Sequence, residues 1–212
     1  MSILDFSDKF LQIRIQKMII LASKSPRRRE ILEGLGVDFK IMTVDTDETC
    51  NIPDPVLYAE ELARRKGEAV YAVLAAESGE AAANEAVIIS ADTVVALGKE
   101  ILGKPKDKDD AFRMLSMLSG NIHAVITGIG VTFGGKTYVS HSLTKVSVAS
   151  IPESEIIKYI NSGDPMDKAG AYGIQSGFSR WVKGIDGCYF GVVGLPVNAL
   201  NDLFFKVTGV WL

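Results

Sequence analysis

The sequence is poor in the residues that most nucleophilic and zinc-dependent enzymes use. It contains two cysteines, Cys50 and Cys188, and two histidines, His123 and His141, among 212 residues. Two cysteines outside any CxxC or His-rich pattern do not make a disulfide framework, which favours a reducing, cytoplasmic compartment. The two histidines offer too little material for a His-based triad or a zinc site. Any catalysis must therefore rely on carboxylates and lysines.

The sequence also lacks an excess of positive charge and a long apolar run. A formal net charge of −3 argues against a general nucleic-acid-binding protein, which needs basic residues to neutralise phosphates. No apolar run approaches membrane-spanning length, and residues 1–17 carry Asp5 and Asp8, unlike a secretory signal. We expect a cytoplasmic protein that binds neither nucleic acid nor a membrane.

Apolar and helical periodicities alternate along the chain and predict an α/β fold. We interpret residues 1–17 as an extension and residues 18–212 as one domain, with two lobes around a cleft. Strands are predicted at 18–22, 39–44 and 87–97, and a hairpin at 124–133 and 136–149. Helices are predicted at 26–35, 55–76, 107–118 and 152–161, and from 196 onward. The hairpin implies a mixed sheet, and the absence of GxGxxG and Walker A patterns excludes dinucleotide and P-loop interpretations.

The segment from Ser23 to Arg29 joins the first strand to the first helix and has the composition of an anion site. Ser25 is predicted as the N-cap and Pro26 as the first helical residue, so free backbone N–H groups and the positive end of the dipole face outward. Arg27 and Arg28 add positive charge. Phosphate is the expected ligand. The alternative is a capped surface helix that begins with solvated arginines.

Asp92 lies inside the apolar run 87–95, where a carboxylate without a partner loses much of its hydration energy. A divalent cation, a lysine or a water awaiting deprotonation would each satisfy it, and such carboxylates cluster at functional sites. The alternative is an aspartate that caps a turn or accepts from backbone amides.

Three lysines are candidates for phosphate binding. Lys66 falls in one helical stripe with Leu62, Ala69, Val70 and Val73, so it either points inward to a ligand or snorkels over apolar surface. Lys104 and Lys168 occupy loops next to glycine, where backbone and ammonium can approach a polyphosphate closely.

An acidic cluster, Asp45, Asp47 and Glu48, follows the second predicted strand. With Asp92 it offers the hard oxygen ligands that Mg²⁺ prefers. The alternative is a solvated acidic turn, which composition by itself favours. His123 is expected to complete a hydrogen bond and not to ligate a metal.

Together, six motifs resemble the Maf (septum formation inhibitor-like) family of nucleoside triphosphate pyrophosphatases from Met18 to the C-terminus. They are Leu21-Ala22-Ser23-Lys24-Ser25-Pro26-Arg27-Arg28, Ala91-Asp92-Thr93-Val94-Val95, Gly103-Lys104-Pro105, Ser119-Gly120-Asn121-Ile122-His123 with Thr127-Gly128, Lys168-Ala169-Gly170-Ala171-Tyr172-Gly173-Ile174-Gln175 and Val192-Val193-Gly194-Leu195-Pro196.

The resemblance implies an elongated α/β fold, similar to that of inosine triphosphatase, with a central cleft and frequent dimerisation. It also implies that Mg²⁺ or Mn²⁺ assists cleavage of a nucleoside triphosphate to the monophosphate and pyrophosphate. By position, Asp92 is the expected proton acceptor, which prepares the water that attacks the α-phosphorus, and Asp92 and Glu48 are the expected metal ligands. The expected phosphate contacts are Ser23, Ser25, Arg27, Arg28, Lys66, Lys104 and Lys168.

Arg27, Thr93 and Gln175 fall where members of the family select the base. Thr93 with Gln175 resembles the branch that acts on dTTP and UTP, whereas a sibling branch that prefers 7-methyl-GTP has Gln after the aspartate. The sequence departs from the family at Ser176, where glycine is usual, and Asp47 rivals Glu48 as the metal ligand. The alternatives are a non-catalytic nucleotide-binding regulator of cell division and a purine-directed housekeeping pyrophosphatase.

Overall fold

The computed structural model describes residues 17–212, so the predicted extension falls outside it except for Lys17. The strands are β1 (Ile19–Leu21), β2 (Lys40–Ile41), β3 (Val87–Leu97), β4 (Glu100–Leu102), β5 (Ile122–Phe133), β6 (Lys136–Val148) and β7 (Val182–Asp186). The helices are α1 (Pro26–Gly34), α2 (Pro55–Ser78), α3 (Glu80–Glu85), α4 (Lys108–Leu118), α5 (Glu153–Asn161), α6 (Tyr189–Val193) and α7 (Val197–Thr208). Three 3₁₀ turns, Asp164–Asp167, Ala169–Ala171 and Gly177–Trp181, connect α5 to β7.

The strands form one mixed sheet in the order β2-β1-β3-β5-β6-β7, with β4 added to β3. The first two pairings, β2 with β1 and β1 with β3, are parallel, and the remaining pairings are antiparallel. The predicted α/β class, the mixed sheet and the hairpin at Gly134-Gly135 are confirmed. The parallel pairs arise because a helix separates successive strands, whereas the tight glycine turn allows β5 and β6 to pair directly.

One face of the sheet is covered by α2, which packs closely because small residues meet at the contact. A Cβ on Gly128 of β5 would lie 2.3 Å from the backbone oxygen of Ala59, so only glycine allows this approach. Ser90 of β3 donates a hydrogen bond of 2.7 Å to the backbone oxygen of Ala63. These contacts fix the position of α2, and hence of its side chains, over the middle of β3 and β5.

The other face carries the main hydrophobic core. Alternate residues of the central strands, such as Ile89 of β3 and Ile129 of β5, pack there with Leu115 of α4 and Phe204 of α7. Both strands are apolar on both faces because each face is covered by helices or turns.

Five local expectations were incomplete. The second strand is only Lys40–Ile41, and the helices α3 and α6 and the short strands β4 and β7 were not predicted. All five elements are short, so they carry too little periodicity to be recognised from the sequence. Within residues 17–212, no helix combines the length and the apolarity needed to cross a bilayer.

Candidate active site

One edge of β3 is open between two short neighbours. β1 pairs with β3 as far as Ile89, and β4 pairs with it from Val95 onward, on the edge opposite β5. Between these pairings no described strand covers that edge. Asp92 and Thr93 lie in this gap and are partly exposed within an otherwise buried strand. Because adjacent residues of a strand point to opposite faces, the gap brings side chains from both faces into one space.

A cleft of about 1220 Å³ lies against this open edge. Its walls come from segments that are far apart in the sequence. They are the β1–α1 junction, the loop after β2, the inner face of α2, the loop after β4, the 3₁₀ segment with residues 167–176, and residues 192–194. All residues predicted to contact the nucleotide or the metal, from Ser23 to Gln175, line this cleft.

Asp92 is held by the ammonium of Lys66. The Nζ atom lies 2.6 Å from Asp92 Oδ1 and 2.8 Å from Glu48 Oε1, so one lysine bridges two carboxylates. The side chains of Lys66 and Asp92 are 18% and 13% exposed, which makes this a largely desolvated pair at the base of the cleft. The hydrogen bond from Lys66 lowers the pKa of Glu48, although its partial burial opposes this. Lys66 therefore points inward, and the snorkelling alternative is wrong.

The acidic cluster divides into three different environments. Asp47 accepts hydrogen bonds from the backbone N–H and the hydroxyl of Thr49, at 2.8 and 2.6 Å, and so closes a local turn. Asp45 pairs with Lys24 at 2.7 Å on the exposed rim. Only Glu48 reaches the Lys66 and Asp92 pair. The geometry therefore favours Glu48 over Asp47 as the partner of Asp92.

Arg28 joins three walls of the cleft. Its guanidinium donates to Ser23 Oγ at 3.1 Å, to Thr93 Oγ1 at 3.1 Å and to the backbone oxygen of Gly194 at 2.8 Å. All three acceptors are neutral, and no described carboxylate forms an ion pair with it. Burial lowers the pKa of Arg28, but an arginine keeps its proton in a protein. Its positive charge therefore stays available to an anion in the cleft.

The predicted N-cap role of Ser25 is wrong in one respect. Ser25 occupies the N-cap position of α1, but its side chain makes no capping hydrogen bond. Ser23 instead accepts from the backbone N–H of Ser25 at 3.2 Å and from Arg28. Because no side chain caps α1 within the described residues, the backbone N–H groups of Arg27 and Arg28 have no partner there, and both residues line the cleft.

The three predicted base-selecting residues surround the same cleft. Thr93 lies 2.8 Å from Thr127, which in turn donates to the backbone oxygen of Gly191 at 2.7 Å. Arg27 donates to Asp167 at 3.4 Å. Gln175 is exposed to the cleft and makes no side-chain hydrogen bond within the described residues.

The two loop lysines differ in how much charge they offer. Lys104 is exposed and has no ion pair within residues 17–212. Lys168 is 12% exposed, and its ammonium is held by Asp167 at 2.7 Å, by Asp164 Oδ1 at 3.0 Å and by the backbone oxygen of Asp164. Lys168 lines the cleft with its charge already shared by two carboxylates, and its contact with phosphate stays a prediction.

Two residues of the site region, Tyr159 and Asp164, were not predicted, because no sequence motif singles them out. They bond to Gly173 and Ser176, in the segment that carries Gln175. His123 is buried, and its Nε2 lies 2.7 Å from the hydroxyl of Tyr172, as the predicted hydrogen-bonding role requires. Burial lowers the pKa of His123 to about 4. Its neutral ring supports Tyr172, which lines the cleft.

The site has the donors for a metal that is shared with a ligand. No described group of three or more His, Cys, Asp or Glu side chains is arranged to hold a metal ion alone. Asp92 and Glu48 are two carboxylates around one ammonium, so the space between them accommodates positive charge. Because Mg²⁺ is usually held by one or two carboxylates together with waters and phosphate oxygens, this donor set fits such an ion.

The comparisons with known proteins agree with this architecture. The sequence model of the family described as Maf-like protein matches residues 18–207. The chain belongs to this family. The match contains every strand and nearly every helix described above, including all segments that line the cleft of this Maf-like protein.

Several curated relatives carry the same printed name. A dTTP/UTP pyrophosphatase of Agathobacter rectalis is 46% identical over 198 residues, which cover 89% of this chain and 97% of the relative. Proteins of that name from Thermococcus kodakarensis and Chromobacterium violaceum are 44% and 48% identical, over 90% and 85% of this chain and 98% and 89% of their own lengths.

Proposed function

We propose that this Maf-like protein hydrolyses dTTP and UTP to the nucleoside monophosphate and pyrophosphate. The observation that carries the proposal is the bridge that Lys66 makes between Asp92 and Glu48 on the open edge of β3, beside the guanidinium of Arg28. A carboxylate, two cations and free helix N–H groups in one cleft are the parts that phosphoryl transfer to water requires. The names of the relatives support the same reaction and the same two substrates.

In the proposed reaction, Asp92 accepts the proton of the water that attacks the α-phosphorus. One of its oxygens accepts from Lys66 at 2.6 Å, and a carboxylate on this open edge of the strand is placed to accept a proton. Lys66 lies at the same position and can donate to a phosphate oxygen when the substrate enters. Arg28 and the N-terminus of α1 stabilise the negative charge that develops on the departing pyrophosphate.

Asp92 and Glu48 are the residues that would hold a divalent cation together with the triphosphate. When bound, Mg²⁺ or Mn²⁺ would neutralise phosphate charge and polarise the bond that breaks. In the free protein, the ammonium of Lys66 holds these two carboxylates together. Asp47 is turned into its own loop, so we assign it no metal contact.

Base selection is assigned to Thr93, Arg27 and Gln175. Gln175 is exposed to the cleft, and its amide can both donate to and accept from the edge of a pyrimidine. Ser176 does not displace it through strain, since the backbone at Ser176 has an ordinary extended conformation with φ of −107°. A homodimer and a cytoplasmic location remain predictions of the family resemblance and the composition.

The test is pyrophosphate release from a panel of dTTP, UTP, CTP, ATP, GTP, ITP and 7-methyl-GTP with Mg²⁺ or Mn²⁺. We expect turnover of dTTP and UTP well above the purine nucleotides. Reaction in ¹⁸O-labelled water should place the label in the monophosphate, because the attack is at the α-phosphorus. Tight binding of a nucleotide without turnover would favour the regulatory alternative, and preferred turnover of ITP would favour the purine-directed one.

A second measurement separates the two rival carboxylates. Glu48→Gln should weaken Mn²⁺ binding in the presence of a non-hydrolysable UTP analogue, whereas Asp47→Asn should leave it within about twofold. The opposite result would transfer the metal contact to Asp47.

A further inference from the structure

The wall of the cleft that carries Gln175 is held from behind by one charged side chain, Asp164. This residue begins the 3₁₀ turn after α5 and does not line the cleft. Its Oδ2 atom accepts hydrogen bonds from the hydroxyls of Tyr159 and Ser176, and its Oδ1 accepts from Lys168 at 3.0 Å. One carboxylate therefore joins a helix, a turn and the segment that forms the wall.

The hydroxyl of Ser176 donates its hydrogen bond to this carboxylate and not to the backbone oxygen of Gly173. Ser176 Oγ lies 2.5 Å from Asp164 Oδ2 and 2.9 Å from the backbone oxygen of Gly173. A hydroxyl has one proton to donate, and the charged acceptor at the shorter distance receives it. Glycine at this position would have no such donor. The departure from the family pattern at Ser176 thus adds a tether to the wall.

Tyr159 makes the second connection to the same wall. Its hydroxyl donates to Asp164 and accepts from the backbone N–H of Gly173 at 3.1 Å. Its ring packs against Phe178, with centroids 5.7 Å apart, and Phe178 is fully buried. Partial burial of Asp164 opposes ionisation, but the hydrogen bonds from Ser176, Tyr159 and Lys168 lower its pKa overall. The network is therefore ionic and desolvated in part, which strengthens its bonds.

These bonds bracket Gln175 on both sides. Ile174 is buried in the main core, and Ser176 is tied to Asp164, so the exposed Gln175 is held between two fixed neighbours. A side chain that distinguishes bases by hydrogen bonds must be placed within a few tenths of an ångström, because such bonds weaken steeply with distance and angle.

We propose that Asp164, bound by Tyr159 and Ser176, is the positioning residue that fixes Gln175 against the nucleotide base and so sets base selectivity. The inference rests on the proposed function, since it concerns the substrate of that site. Asp164 acts through its neighbours and contacts no reacting atom. A second link, from Lys168 through Asp167 to Arg27, connects the same carboxylate to the other side of the cleft.

The test uses substitutions that remove one hydroxyl or one charge and should keep the fold. Ser176→Ala and Tyr159→Phe each remove one hydroxyl bonded to Asp164, and Asp164→Asn removes its charge. For each, we expect kcat/KM for UTP relative to ITP to fall by about tenfold, mainly through a higher KM for UTP, with kcat within about twofold. Ser176→Thr keeps the hydroxyl in an extended backbone and should retain the wild-type ratio.

The controls remove hydroxyls elsewhere. The control variants are Ser179→Ala, in the 3₁₀ turn that follows Ser176, and Tyr138→Phe, on β6. Both residues are exposed, and neither side chain forms a hydrogen bond in the described part of the chain. Both should keep the ratio. The double variant Ser176→Ala with Asp164→Asn should lose less than the product of the two single losses, because both changes act on the bond between these two side chains.

Two outcomes would overturn the inference. One is an unchanged ratio in Ser176→Ala and Tyr159→Phe, and the other is an equal fall of kcat for all nucleotides with KM unaltered. If the wild-type protein binds nucleotides but does not hydrolyse them, the ratio of the affinities for UTP and ITP, measured by calorimetry, replaces the ratio of kcat/KM values as the test. Failure of wild-type turnover counts against the proposed function alone, whereas equal affinities in wild type and variants count against the positioning role.

Discussion

Replacement of Asp92 by asparagine separates catalysis from stability at this site. The change keeps the volume and one oxygen, so Lys66 retains an acceptor at its present distance of 2.6 Å and also keeps Glu48 at 2.8 Å. A hydrogen bond to a charged group contributes about 1.5–3 kcal/mol, and one to a neutral oxygen about 1 kcal/mol. The difference predicts a loss of about 1 kcal/mol, or a fall in Tm of about 2–4 °C for a chain of this size.

The effect on turnover should be far larger. Loss of a general base typically slows a reaction by about 10²–10⁴-fold, which is about 2.7–5.4 kcal/mol in the activation barrier. We therefore expect Asp92→Asn to lose nearly all pyrophosphate release from dTTP and UTP while it melts close to the wild type. Binding of UTP should persist, because the substitution removes negative charge from the cleft.

The assay is pyrophosphate release under saturating UTP, with thermal melting measured on the same preparations. Asp186→Asn is the matched control, since Asp186 is exposed on β7 and makes no side-chain bond within the described residues. The reasoning is refuted if Asp92→Asn retains turnover within about tenfold of the wild type. It is also refuted if the loss of turnover follows an equal loss of folded protein.

Three further outcomes follow from particular contacts. Lys66→Met should tighten Mn²⁺ binding to the nucleotide-free protein by about tenfold, measured by calorimetry, because a competing ammonium is removed; weaker binding would contradict the bridging role. As the pH is lowered from about 6.5 to 4, His123 binds a proton in the unfolded chain but not in the folded chain. The free energy of unfolding should therefore decrease over this range, by up to about 3 kcal/mol. Denaturant titrations across this pH range should show a flatter stability profile for His123→Phe, and an unchanged profile would contradict the prediction. Gly128→Ala should cost about 3 kcal/mol or more because its Cβ meets the backbone of α2, while Gly184→Ala, which meets open space, should melt within about 2 °C of the wild type.

Much of the fold was predictable because its signals are local. The hairpin turn at Gly134-Gly135 and the apolar strand around Asp92 are visible in short windows, and both are present in the structure. The short elements β4 and β7 escaped prediction because a strand of a few residues carries little periodicity and depends on its partner.

The candidate site was predictable as a set of residues but not as an arrangement. The motifs named Asp92 and Arg28 as functional, helical periodicity and the family resemblance named Lys66, and the residue types indicated phosphate chemistry. The sequence did not predict that Lys66 bridges two carboxylates, that Arg28 is bonded to three neutral oxygens, or that Lys168 is neutralised by two aspartates. Each of these contacts joins residues that approach only after the chain has folded.

The sequence by itself thus determined the residue chemistry of this protein: oxygen ligands, cations and a helix N-terminus, with almost no histidine or cysteine. Only the tertiary structure decided where that chemistry acts. Because β1 ends at Leu21 and β4 begins to pair at Val95, one edge of β3 is left open at Asp92. Because Gly128 lets α2 approach the sheet, Lys66 reaches that edge. Strand ends and close packing are set by contacts between distant segments, and no local pattern encodes them.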